Sequence, residues 1–179
     1  MRRITIIIFC LVTFLSTTNS QVFNTATTLK KGGFAIGIEP AFIMDGDEFF
    51  LFLHGGYGIK KGLDMSLKFG LGGGDTYVGG DLEFALRKNI SLAVGAHSWN
   101  VFGLDGTLLF NIPIKSDIKL VTGLDMNVDF PDDDVNLPLW IPIGLEVGLS
   151  GRAKLMFEVE IAITQDASHM FGGGVNFFF

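Results

Sequence analysis

His97 and Ser98 set a base beside a nucleophile, and Asp105 follows within one short hairpin. Acyl transfer by such a trio needs the hydroxyl in hydrogen-bond reach of the imidazole, with the carboxylate behind it. In extended chain, neighbouring side chains point to opposite faces, so His97 and Ser98 diverge and no triad is expected. Metal chemistry finds little more to work with. Asp132, Asp133 and Asp134 offer oxygen ligands, but they lack the alternating spacing and turn glycine of a calcium loop, so a solvated acidic loop is expected. His54, His97 and His169 are too scattered for a zinc signature. The glycine-rich run that begins at Gly70 leads into another strand pattern, not a helix, which excludes a phosphate loop. No cofactor, no metal and no enzymatic activity are expected.

The remaining charged residues follow a rule of position. Over 63–71 (LDMSLKFGL) every odd residue is large and apolar and every even one is polar or glycine. The segments 78–86 and 155–163 repeat the alternation, which is the period of a strand with two unlike faces. Applied to the whole chain, it predicts ten strands near 33–44, 49–59, 63–72, 77–86, 90–99, 103–114, 118–128, 137–149, 153–163 and 170–179. Each is close to the roughly 9 to 11 residues that a tilted transmembrane strand requires. In every one of them one parity is free of charge. The opposite parity collects Glu39, His54, Asp64, Lys68, Asp81, Glu83, Arg87, Asp105, Lys119, Asp125, Glu146, Lys154, Glu158 and Glu160.

Tight hairpin register would line Glu39, His54, Lys68 and Asp81 into one row and Lys119, Glu146 and Lys154 into a second. Charges withdrawn from water are costly unless paired, so such rows fit a filled, ion-paired lumen. The excess of acids over bases fits equally a narrow path that prefers cations.

Composition agrees with strands that face hydrocarbon. Hydrophobic residues make up 48% of the 179 and charged residues only 18%, too apolar for an ordinary soluble surface. The 24 glycines are dispersed, which favours short strands and tight turns over long helices. A net charge of -6 gives nucleic acid no footprint, so no such partner is expected. Short turns at KKG, RKN, KSD and SGR alternate with longer, acidic connections, so one end of the assembly is tight and basic and the other acidic. The fold class expected is all-β: a single closed up-and-down antiparallel barrel of about ten strands, eight being the alternative. Residues 1–20 carry a basic start, an apolar run and a small residue at Ser20, the pattern of a cleaved signal peptide that takes Cys10 with it. Residues 21–32 are then a short linker, and 33–179 the barrel.

The C-terminal GGGVNFFF resembles the terminal-strand signal of small Gram-negative outer-membrane barrels, with Gly174, Phe177 and Phe179 in its places, although Gly172 stands where a polar residue is usual. The resemblance implies an outer-membrane address, contact with outer-membrane lipid and with the barrel-insertion machinery, and a porin-like envelope protein. It points to no particular member. On these grounds the chain is expected to be an envelope structural protein or a narrow, cation-preferring passive channel. A barrel that adheres to a surface ligand through its acidic loops is one alternative. A soluble secreted barrel with its apolar parity turned inward around a lipid is another. A lipid-modifying outer-membrane enzyme is a further class, and none of that family's residue spacing is found.

Overall fold

Ten antiparallel strands close into a barrel in the computed structural model, which describes residues 25–132 and 134–179. The expected signal segment 1–20 lies outside the described residues, as does Asp133. The strands are β1 Phe34–Ile43, β2 Glu48–Lys60, β3 Leu63–Gly72, β4 Asp75–Arg87, β5 Ile90–Trp99, β6 Val101–Pro113, β7 Ile118–Phe130, β8 Leu139–Ser150, β9 Ala153–Ala162 and β10 Met170–Phe178. Each pairs with its sequence neighbours, and β1 pairs with β10 to complete the ring. At that seam Phe34 and Phe179 exchange backbone bonds at 3.2 and 2.8 Å. The count of ten follows from the alternation, and the eight-stranded alternative is not realised.

Burial divides the two parities as the pattern of charge does. Leu67 is 64% exposed, and apolar residues of all ten strands share its outward face, among them Ile36, Leu53, Val78, Val94, Leu104, Leu124, Ile143, Phe157 and Phe171. The charge-bearing parity points inward. The soluble barrel with an apolar interior is therefore the wrong way round: its lining would have to be the face that stands outside. No helix among the described residues is long and apolar enough to cross a membrane, and the apolar belt lies on the outer face of the strands.

The ends of several strands shift by a residue or two from the sequence expectation. β7 runs on to Phe130, and its Asp129 makes an isolated bridge to Asn136 in the connection, while β8 begins only after Pro138. Between β5 and β6 the chain reverses on Asn100 alone, at φ 59°. The register shifts at Gly58/Lys60, Ala85/Arg87 and Gly148/Ser150, all toward the turn end, and two wider gaps each lie beside a proline that has no N–H to give. Between β1 and β10 the ladder passes from the Ile38–Val175 pair to Ala41–Gly172, skipping Pro40. Between β7 and β8 it passes from Thr122–Ile143 to Asp125–Trp140, skipping Pro142.

The lumen is filled in layers. At the loop end a cluster of Ile43, Phe50, Phe52, Tyr77, Trp99 and Met170 forms a cap. Phe50 meets Trp99 edge-on at 4.5 Å and Phe52 meets Tyr77 edge-on at 5.5 Å, arrangements that aromatic quadrupoles favour. Trp140 is fully buried, and its Nε1 donates to the Ser168 carbonyl at 2.8 Å. Charged and polar residues occupy the middle. At the turn end, residues 25–31, part of the expected linker, fold back into the mouth, where Ala26 packs with Leu109 and Val121.

Candidate functional site

The lumen wall alternates long polar side chains with glycine, and the glycines let those side chains lie across neighbouring strands. Gly103 on β6 has no room for a Cβ, because His97 from β5 and Asp129 from β7 meet over it. Gly37 on β1 is likewise crossed by His54 from β2 and Asn176 from β10. Charged groups two strands apart can therefore touch, which strict cross-strand pairing would not allow.

The closest assembly lies just beneath the aromatic cap. His97 Nδ1 is 2.5 Å from Asp105 Oδ1, and Nε2 makes an ionic contact of 3.2 Å with Asp129 Oδ1. The imidazole stacks on Tyr77 at 5.7 Å between centroids and 13° between planes. With its amide nitrogen turned toward Asp105, Asn127 donates to Oδ1 at 3.1 Å. All of these residues are buried. Ser98 is exposed on the outward face, so it never meets His97, and the constellation holds charge rather than activating a nucleophile.

Further down, Lys68 Nζ pairs with Asp81 Oδ2 at 3.3 Å, and Ser66 Oγ donates to the same oxygen at 2.8 Å. Thr107 Oγ1 donates to Asp125 Oδ1 at 2.6 Å. Toward the turn end, Lys119 and Lys154 both hold Glu146 Oε1 at 3.0 Å. Between these groups stand Glu39, Glu158 and Glu160, each at most 3% exposed. Neither carboxylate oxygen of Glu39 has a hydrogen-bond partner.

The register differs from the row expected for Glu39, His54, Lys68 and Asp81. His54 does face Lys68, but Glu39 faces Phe52 and Asp81 faces Ser66. The Gly73–Gly74 turn, with both residues at positive φ, closes on the Gly72–Asp75 pair, which sets Lys68 opposite Gly79. Lys68 reaches Asp81 on the diagonal instead, a separation that a long side chain spans. In the second row Lys119 faces Glu146 directly, and Lys154, opposite Gly148, again reaches it diagonally. Glu83, 8% exposed, lies near the turn end beside Asp64. Arg87 is exposed at the rim.

Several residues of the site escape the sequence pattern. Asp129 falls in the acidic connection once β7 is ended at Val128, although it continues the parity of Asp125 and Asn127. Thr27 and Leu29 belong to no strand: Asn111 Nδ2 donates to Thr27 Oγ1 at 2.7 Å, and the Leu29 amide donates to Asp64 Oδ2 at 2.5 Å. Among the described residues no group of three ligating side chains is placed to hold a metal ion.

No protein-family model matches the chain, and no curated protein resembles it in sequence. Solved structures do resemble it in fold. The NanC porin has a TM-score of 0.57 at 10% identity, covering 79% of this chain and 98% of its own. An outer-membrane channel from Pseudomonas putida F1 has 0.56 at 8%, covering 89% and 100%. The KdgM porin has 0.51 at 10%, covering 81% and 99%. At such identities the likeness is one of architecture: the chain shares the closed antiparallel barrel of these porins and channels.

Proposed function

We propose that this chain is an integral outer-membrane barrel without catalytic activity, and that its acidic lumen is a narrow, cation-preferring passage. The apolar belt and the terminal GGGVNFFF support the address. One observation carries the preference for cations. The carboxylates of Glu39, Asp64, Asp81, Glu83, Asp105, Asp125, Asp129, Glu146, Glu158 and Glu160 are all buried in the lumen, whereas the buried basic groups are Lys68 and His97. A low-dielectric wall strengthens the field of these carboxylates, which attracts cations and repels anions. With the aromatic cap at one end and residues 25–31 at the other, the passage is occluded in the conformation described, so low and intermittent conductance is expected.

Purified protein in planar bilayers tests the reading. Discrete cation-selective events are expected, and Glu158→Gln with Glu160→Gln should move the reversal potential in a salt gradient toward zero. Complete silence across ionic conditions would leave an envelope structural barrel, its role mapping to the acidic loops.

The role of the C-terminus as an insertion signal is separable. Phe179 is 72% exposed and its backbone pairs with Phe34, so Phe179→Ser keeps the ladder while removing the ring. Lower outer-membrane yield in cells with near-normal refolding into micelles, read by heat-modifiable gel mobility, is the expected result. Equal failure in both would make Phe179 a packing residue.

A further inference from the structure

Residues 25–31 do more than precede the first strand. The chain turns back at Gly32, whose φ of 76° suits glycine, with the Gly32 amide on the Gly58 carbonyl at 2.7 Å and the Gly33 amide on the Lys30 carbonyl at 2.8 Å. Gly58 has no room for a Cβ because the Lys30 carbonyl lies against it, and Leu29 Cδ1 is packed where a Cβ on Gly56 would be, at 3.0 Å. The segment leaves this β1–β2 side and bonds Asp64 on β3 through the Leu29 amide. It ends against the far wall, where Thr27 accepts from Asn111 on β6 and from Lys119 on β7. There Ala26, 2% exposed, covers Val121, 1% exposed. It thus forms a strap across the mouth.

Beneath it lies a cavity of about 80 Å³, roofed by Thr25, Thr27 and Leu29 and walled by residues that include His54, Asp64, Lys68, Asp81 and Glu83. That is room for several waters or a partly hydrated small cation. Glu83 is 8% exposed and lines this cavity, and its Oε1 has no hydrogen-bond partner. A buried carboxylate oxygen left without a donor has a site for one, and the cavity is where a donor or a cation would stand.

We propose that this cavity is a binding station for a small monovalent cation and that the strap is its displaceable plug, the Leu29 amide occupying Asp64 in place of the ion. This deepens the channel reading and rests on it. Residues 25–31 are held by a handful of hydrogen bonds and by the apolar contacts of Ala26 and Leu29, with no ladder to either neighbouring strand, so they open locally without disturbing the barrel.

The test uses the full chain in lipid, with Cys10→Ser to remove the sequence's own thiol and Val121→Cys as a reporter thiol beneath Ala26. Leu29→Pro removes the amide that bonds Asp64, and Leu29→Ala keeps it. Modification of the reporter by a cationic thiosulfonate from the turn side should quicken at least tenfold with Leu29→Pro and less than threefold with Leu29→Ala. Open probability in bilayers should rise in the same order. Adding Glu83→Gln to Leu29→Pro should lower the rate for the cationic reagent while leaving a neutral one unchanged. Heat-modifiable mobility confirms that each variant is folded. A reporter that reacts equally fast with the strap native overturns the plug, whatever the conductance. Equal sensitivity of cationic and neutral reagents to Glu83→Gln overturns the cation station. Strap-dependent reactivity with silent bilayers for every variant overturns the channel reading and, with it, the cation role, leaving only a structural stopper.

Discussion

At the loop end the lumen is stopped by side chains that the strands themselves carry, Phe50, Tyr77, Trp99 and Trp140, whereas at the turn end it is stopped by backbone that belongs to no strand. The cap cannot be withdrawn without unpicking the wall, because its rings are rooted in strand residues: Phe50 and Trp140 are paired on both sides, and Tyr77 and Trp99 on one. The strap has its own few bonds to Asp64, Asn111 and Lys119. Closure by wall residues is thus coupled to global stability, and closure by a returning segment is coupled only to local opening.

The largest expected effect is at the cap. Trp140→Ala removes a fully buried indole and its bond to the Ser168 carbonyl, and it should cost about 3 to 5 kcal/mol in urea unfolding of the lipid-embedded barrel. Just below the cap, His97→Ala leaves Asp105 and Asp129 facing each other without the cation between them, and about 3 to 5 kcal/mol is again expected. If either change costs no more than loosening the strap, the contrast between the two ends fails.

A change in the wall between the ends supplies the reference. Leu67→Arg on the outward face should cost about 2 to 4 kcal/mol and impair insertion. Ser66→Arg, one residue away on the lumen face near Asp64, Asp81 and Glu83, should be better tolerated in the same assay. Equal losses would deny that the outside is hydrocarbon-facing. The smallest effect belongs to the strap: Thr27→Val removes the acceptor for Asn111 and Lys119 and should cost about 0.5 to 1.5 kcal/mol in stability. Its effect should show chiefly as faster hydrogen exchange at residues 25–31.

The wall is legible in the sequence and the strap is not, for one physical reason. A strand with hydrocarbon outside and charge inside must alternate, so Leu63, Met65, Leu67, Phe69 and Leu71 announce their face. Thr27, Thr28 and Leu29 cross a mouth as irregular chain, and nothing in their order records what they touch. Register is intermediate. The alternation assigns Lys68 and Asp81 to the lumen, but the Gly73–Gly74 turn decides that they meet diagonally. Asp129 shows the same limit at a strand end, since its parity is readable only once β7 is known to pass Val128.

The two wider gaps in the ladder, at Pro40 and Pro142, bear on the mechanics of the wall. Both lie in the loop half of the barrel, and together they flank a panel of three strands, β8, β9 and β10. A wall that skips two pairs at each of two places is most compliant there, so elastic deformation concentrates at these gaps before fully paired ladder yields. The panel carries Trp140, Glu158 and Glu160, so a small tilt of it changes the bore beside these two carboxylates.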